Sequence, residues 1–127
     1  MTILIACLFI ALLLPFIAKI PVAIAMNKLN GYDNNHPRDQ QAKLTGFGAR
    51  AVAAHQNAFE SVIIFAPAVI LAIATNHTGE LIQQLAVVHV VARCLYNVLY
   101  LLNISVLRSL VWAVGIISSF TIIWQCF

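Results

Sequence analysis

Apolar residues dominate four long stretches of the chain, about residues 2–26, 45–75, 80–102 and 106–127, and polar residues gather between them. Each stretch is long enough to cross a hydrocarbon core about 30 Å thick at about 1.5 Å per residue. The gaps are unequal: residues 27–44 form a long polar connection, whereas 76–79 and 103–105 are tight turns. Short turns force antiparallel neighbours, so the pattern predicts an all-α, up-down bundle of four transmembrane helices. Residues 27–39 are rich in Asn, Asp, Gly and Pro and hold no apolar period, which predicts irregular surface backbone there.

Composition removes the soluble alternative. Of 127 residues, 62% are hydrophobic and 9% charged, where a soluble domain would carry about a quarter charged residues. The whole chain, 1–127, is therefore expected to form one integral membrane domain. Cys7, Cys94 and Cys126 stand singly in apolar surroundings, with no C-x-x-C spacing and no histidine pair nearby, so neither a metal site nor a disulfide framework is expected. Met1 is followed by no basic segment and the first apolar run by no small-residue cleavage pattern, so the first helix is expected to be retained.

Charge then orients the bundle. Lys19, Lys28, Arg38, Lys43 and Arg50 gather around the long connection, and Arg93 and Arg108 flank the third, which a four-helix hairpin returns to the same side. The turn at 76–79 has no Lys or Arg. The positive-inside tendency predicts a cytoplasmic long loop and outward termini. The net charge of +3 thus reflects topology rather than nucleic-acid binding. Lys19, between Pro15 and Pro21, is expected to reach the headgroups, and Trp112 and Trp124 to anchor the two ends of the fourth helix. A sequon, Asn76-His77-Thr78, falls on the predicted outer side.

The second and third runs carry the candidate chemistry. At about 100° per residue, Arg50, Ala53, Asn57 and Glu60 fall on one stripe of the second helix and His55 points away from it. His89, Arg93, Tyr96 and Tyr100 form a second narrow stripe on the third helix. Ionisable groups at membrane depth are costly and mark functional sites by default. A purely structural reading is a polar clamp, with Glu60 neutralising Arg93 or Arg50 and Asn57 bonding across helices. Against it, Arg50, Arg93 and Arg108 outnumber the one core carboxylate, Glu60, and surplus cations call for an anionic ligand. His55 reads as a helix-packing residue; His89 fits either the site or an interhelical hydrogen bond.

Taken together, the His55-Gln56-Asn57-Ala58-Phe59-Glu60 segment, the Ala92-Arg93-x-x-Tyr96-x-x-x-Tyr100 segment and Arg108 opening the fourth helix resemble the membrane-associated proteins in eicosanoid and glutathione metabolism, the MAPEG family. The stretch from Pro37-Arg38 through Leu44-Thr45-Gly46 to Glu60 is similar to its bacterial branch, and the whole resembles the microsomal glutathione transferases. The resemblance implies a homotrimer in the bacterial inner membrane with glutathione as co-substrate between subunits. It implies that Asn57, Glu60, Arg93, Tyr96 and Tyr100 hold the tripeptide and that Arg108 activates its thiol. Two positions depart from the family pattern. Ala53 stands where glutathione-binding members carry an arginine, for which Arg50 is the nearest substitute, and Arg108 lies one residue later, relative to Tyr100, than in the leukotriene-synthesising members.

The resemblance implies a glutathione transferase or glutathione peroxidase acting on small apolar electrophiles or lipid hydroperoxides that partition into the surrounding membrane lipids. The alternative is a non-catalytic member that binds a lipid or a partner protein. A transporter ranks last, because Phe65–Ile73 and Leu81–Val88 are mostly apolar and the polar stripes stop short of crossing the bilayer.

Overall fold

A computed structural model describes all residues, Met1–Phe127. Four long helices run antiparallel: α1 (Thr2–Asn27), α3 (Phe47–Ala74), α4 (Glu80–Leu101) and α5 (Ser105–Trp124). Each is long and apolar enough to cross a membrane, as its run of apolar residues predicts. No strand is present. The protein is an integral membrane four-helix bundle in which α1 packs mainly on α3 and α4 on α5.

Small residues set the close approach of α1 and α3. Leu4, Cys7, Ala11, Leu14, Ala18, Val22 and Met26 face inward from α1 at intervals of three and four. Ala51, Ala54, Ala58, Ser61, Phe65, Ala68 and Ala72 answer from α3 with the same period. Two apolar side chains gain little from each other that lipid tails would not supply, so alanine stripes that bring backbones together are what membrane packing rewards. The bulky residues Phe9, Ile20, Ile63, Val106 and Ile117 point outward instead, toward the hydrocarbon.

Asparagines end the helices. Asn76 and Asn103 adopt left-handed φ of 61°. Beyond α3, the Asn76 N–H donates to the Ile73 carbonyl (3.2 Å) and His77 N–H to Ala72 (2.8 Å); beyond α4, Asn103 bonds Tyr100 (3.1 Å) and Ile104 bonds Leu99 (3.0 Å). This is the Schellman pattern, with Asn in the place usually held by Gly. It satisfies terminal carbonyls that lipid could not and turns the chain within a few residues, which makes antiparallel neighbours compulsory.

The long connection is more ordered than its composition predicts. It contains a short helix, α2 (Pro37–Ala42), opened by Pro37 at its first position. Gln40 is buried and organises the loop: its Nε2 donates to the carbonyls of Gly31 (2.7 Å) and Met26 (3.2 Å), and its Oε1 accepts from Asp33 N–H (2.9 Å). Asp33 accepts from the backbone of His36 (3.0 Å) and Asn35 (2.9 Å). The His36 N–H foremost holds the Asp33 carboxyl below the usual carboxylate range. The expectation of irregular backbone holds for residues 28–36 and is corrected at Pro37–Asp39, which open a helix. One buried amide replaces the apolar anchor a loop helix would otherwise need, and no apolar period records it. Lys19 is likewise not simply free at the headgroups; its ammonium donates to Gln41 Oε1 and ties α1 to α2.

Candidate functional site

The polar stripes of α3 and α4 meet at Arg93 and Asn57. Arg93 is 2% exposed, with one guanidinium nitrogen donating to both the backbone carbonyl (3.1 Å) and the side-chain Oδ1 of Asn57. The Asn57 amide passes the link on by donating to Glu60 Oε2 (3.0 Å). Asn57 is half-buried and Glu60 exposed, so the chain of contacts runs from the bundle interior to its surface.

Aromatic rings continue the cluster along α4. The Arg93 guanidinium lies 4.3 Å from the Tyr96 ring centroid, Tyr96 meets Tyr100 edge to face at 5.6 Å, and Arg108 from the first turn of α5 covers Tyr100 at 4.1 Å. Ring faces attract cations electrostatically, which allows two arginines to share a small region. Arg108 also sits where the α5 dipole is positive, with no acidic residue in that turn. Helix stability alone would favour an anion there.

Five of the sequence-predicted site residues, Asn57, Glu60, Arg93, Tyr96 and Tyr100, therefore join in one connected cluster that Arg108 completes. Arg50 lies apart: its Nε donates to the Leu101 carbonyl (3.4 Å) at the end of α4. It supplies a partner for one of the last carbonyls of that helix. The direct clamp of Glu60 on Arg93 or Arg50 is absent, because the chain has no arginine–carboxylate contact within 4.0 Å and the neutral Asn57 amide stands between. The positive charge of Arg93 is solvated by amide and aromatic groups and is not cancelled.

Behind the cluster, α4 and α5 share a second polar layer. His89 is 1% exposed, stacked flat on Phe65 at 3.9 Å, with Nδ1 2.9 Å from both the Gly115 carbonyl and the Ser119 hydroxyl. A carbonyl only accepts, which assigns the ring hydrogen to Nδ1. Of the two roles open to His89, the geometry gives the interhelical bond. Gly115 leaves room for the Arg93 stem: a Cβ there would lie 3.2 Å from Arg93 Cδ, which would have to shift by a few tenths of an ångström. Asn97, which is neutral and in no motif, donates to the Arg93 carbonyl (2.9 Å), and its only sequence signal is the four-residue step from Arg93. Three buried atoms on this layer have no partner: His89 Nε2, Arg93 Nε and Asn97 Oδ1. His55 faces away, its Nδ1 2.8 Å from the Pro15 carbonyl of α1 and its ring against Phe59, as its helical angle predicts.

A cluster with two arginines and one carboxylate, in which neither arginine has a carboxylate partner, can accept an anionic ligand and, at Glu60, a cationic group of the same ligand. No group of three or more metal-ligating side chains exists in the chain. Among protein families, the sequence model described as "MAPEG family" matches residues 3–127. No curated protein and no solved structure matches the chain.

Proposed function

The chain belongs to the MAPEG family, and on that premise we propose that it is a membrane-embedded, glutathione-dependent transferase or peroxidase acting on apolar electrophiles or lipid hydroperoxides. The observation that carries the reading is the excess of arginine over carboxylate in a connected cluster at one end of a membrane bundle. Glutathione has two carboxylates, an amino group and a thiol. The residues fit it: Arg93 and Arg108 have no carboxylate partner, Glu60 is exposed and can accept from the amino group, and Tyr96 and Tyr100 offer hydroxyls and ring faces. Arg50 would serve a second carboxylate by exchanging its bond to Leu101.

In this reading Arg108 favours thiolate over thiol, the thiolate being the nucleophile. The sulfur forms a bond to an electrophilic carbon, and the displaced or developing anion takes a proton. In the peroxidase variant a lipid hydroperoxide is reduced to the alcohol and water while two glutathiones become the disulfide. The hydrocarbon concentrates apolar substrates beside the cluster by partition. The family also supports a homotrimer with the tripeptide between subunits. All seven Lys and Arg lie toward the loop-bearing end of the bundle, which favours a cytoplasmic long loop and outward termini.

One observation favours the second reading, a non-catalytic member that binds a lipid or a partner protein. Ala53 removes a cation from the α3 stripe and Arg50 is occupied at Leu101. Isothermal titration of glutathione into the detergent-purified protein separates the two. Binding in the micromolar to low millimolar range, about −8 to −4 kcal/mol, that Arg93→Ala and Glu60→Ala abolish at unchanged oligomeric state supports the enzyme. No heat, with no thermal stabilisation at roughly ten millimolar, places the binding protein first.

A further inference from the structure

A second cation pair lies on the opposite side of α3 from the arginine cluster. Lys19 of α1 and Arg38 of α2 line a cavity of about 510 Å³ together with Tyr32, His55 and Phe59. That volume suits a lipid headgroup or drug-sized ligand, the usual range being about 300–1,000 Å³. No Asp or Glu lines it. The carboxylates nearest in sequence, Asp33 and Asp39, line an adjoining cavity with His36 and Lys43, and Tyr32 stands between the two. Within the cavity Lys19 has only the neutral Gln41 amide as partner, and Arg38 makes no ion pair.

Polarity is graded along the bundle axis. Arg38, Tyr32 and Gln41 belong to the loop at the helix ends. Lys19 lies eight residues before the end of α1, about 12 Å inward, and Phe59 twelve residues into α3, about 18 Å inward. There Phe59 meets Phe16 edge to face at 5.9 Å, and both rings are exposed to the bilayer. His55 spends Nδ1 on the Pro15 carbonyl, so only Nε2 is left for the cavity. A soluble anion would use the cations but not the aromatic floor, whereas an amphiphile uses both. Basic pockets between membrane helices are suited to anionic headgroups.

We infer that this cavity binds the phosphate headgroup of an anionic membrane lipid between Lys19 and Arg38, with an acyl chain running down over Phe59 and Phe16. The site is separate from the proposed glutathione cluster and does not rest on it.

The test uses full-length protein in nanodiscs containing phosphatidylcholine and phosphatidylglycerol, transferred to detergent, with retained lipid counted by native mass spectrometry. Wild type is expected to retain phosphatidylglycerol over phosphatidylcholine by on the order of tenfold, from two cations at roughly fivefold or less each. The Lys19→Gln/Arg38→Gln variant should fall to parity, the charge-keeping Lys19→Arg/Arg38→Lys variant should stay near wild type, and glycerol phosphate should not displace the lipid. Arg38→Gln alone, on an exposed side chain, should leave any glutathione binding unchanged. Equal retention of both lipids by wild type, or wild-type retention by the neutral double variant, overturns the proposal. So does displacement by glycerol phosphate, which makes this a soluble-anion site, or loss of glutathione binding in Arg38→Gln, which makes it part of the tripeptide site.

Discussion

Arg93 is the buried charge at the centre of the polar cluster. Its charge is held by Asn57 and the Tyr96 ring, and its stem passes close to Gly115. Replacing Asn57 with Leu removes the side-chain acceptor and leaves the buried guanidinium only the backbone carbonyl at that position. Removing one partner of a buried charge is far more damaging than the net worth of the bond, and a loss of about 2–4 kcal/mol is expected in thermal or denaturant unfolding in detergent. Gly115→Ala introduces a Cβ 3.2 Å from Arg93 Cδ, so the stem must give way. A loss of about 1 kcal/mol is expected, and if the arginine shifts, weaker glutathione binding than that small loss would explain; unfolding and titration on the same preparation separate the two. Arg108 contributes no bond to bundle packing beyond the Tyr100 ring. Arg108→Ala should therefore abolish transferase or peroxidase turnover in the enzyme reading with the oligomer intact, and an Arg108→Ala protein with full turnover would remove its assigned role.

Among the elements, the caps and the loop carry structure that side-chain patterning does not reveal. Asn103 holds a left-handed conformation whose cost to an ordinary residue is about 1–2 kcal/mol. Asn103→Ala is expected to lower unfolding stability by about 1 kcal/mol, while Asn103→Gly leaves it unchanged. In the connection, Gln40→Ala removes the amide that joins Met26, Gly31 and Asp33. Limited proteolysis between Leu29 and Lys43 should accelerate with helix content otherwise retained. The Asp33 cap adds a pH dependence. Its carboxyl titrates below the ordinary aspartate range in the folded loop, so its contribution is complete above an ordinary value of about 4 and is lost as the pH falls through the lower folded value. Amide resonances of Asn35 and His36 are expected to titrate together below pH 4, and Asp33→Asn to remove that transition.

On the scale of the whole molecule, every Lys and Arg lies toward one end and the turn at Asn76 toward the other. In a cysteine-free background, Asn34→Cys and His77→Cys should react with a membrane-impermeant maleimide from opposite faces of an oriented vesicle. Labelling of both from the same face would contradict the four-span bundle.

Four spans, their antiparallel order and the existence of two polar stripes are present in the chain itself, because hydrocarbon thickness sets a minimum helix length and tight turns leave no other neighbour. The stripe positions of Asn57, Glu60, Arg93, Tyr96 and Tyr100 follow from helical spacing alone. Partners across helices do not. That Arg93 meets Asn57 and not Glu60, that Arg50 turns to Leu101, and that His89 closes on Gly115 depend on the relative rotation and depth of α3, α4 and α5. Those are decided by small-residue packing summed over whole helix faces, which no local spacing encodes. The helix α2 and its Gln40 anchor escape the pattern for the same reason: a single buried amide satisfied by carbonyls far along the chain leaves no periodic trace, and only the folded loop brings its partners within reach.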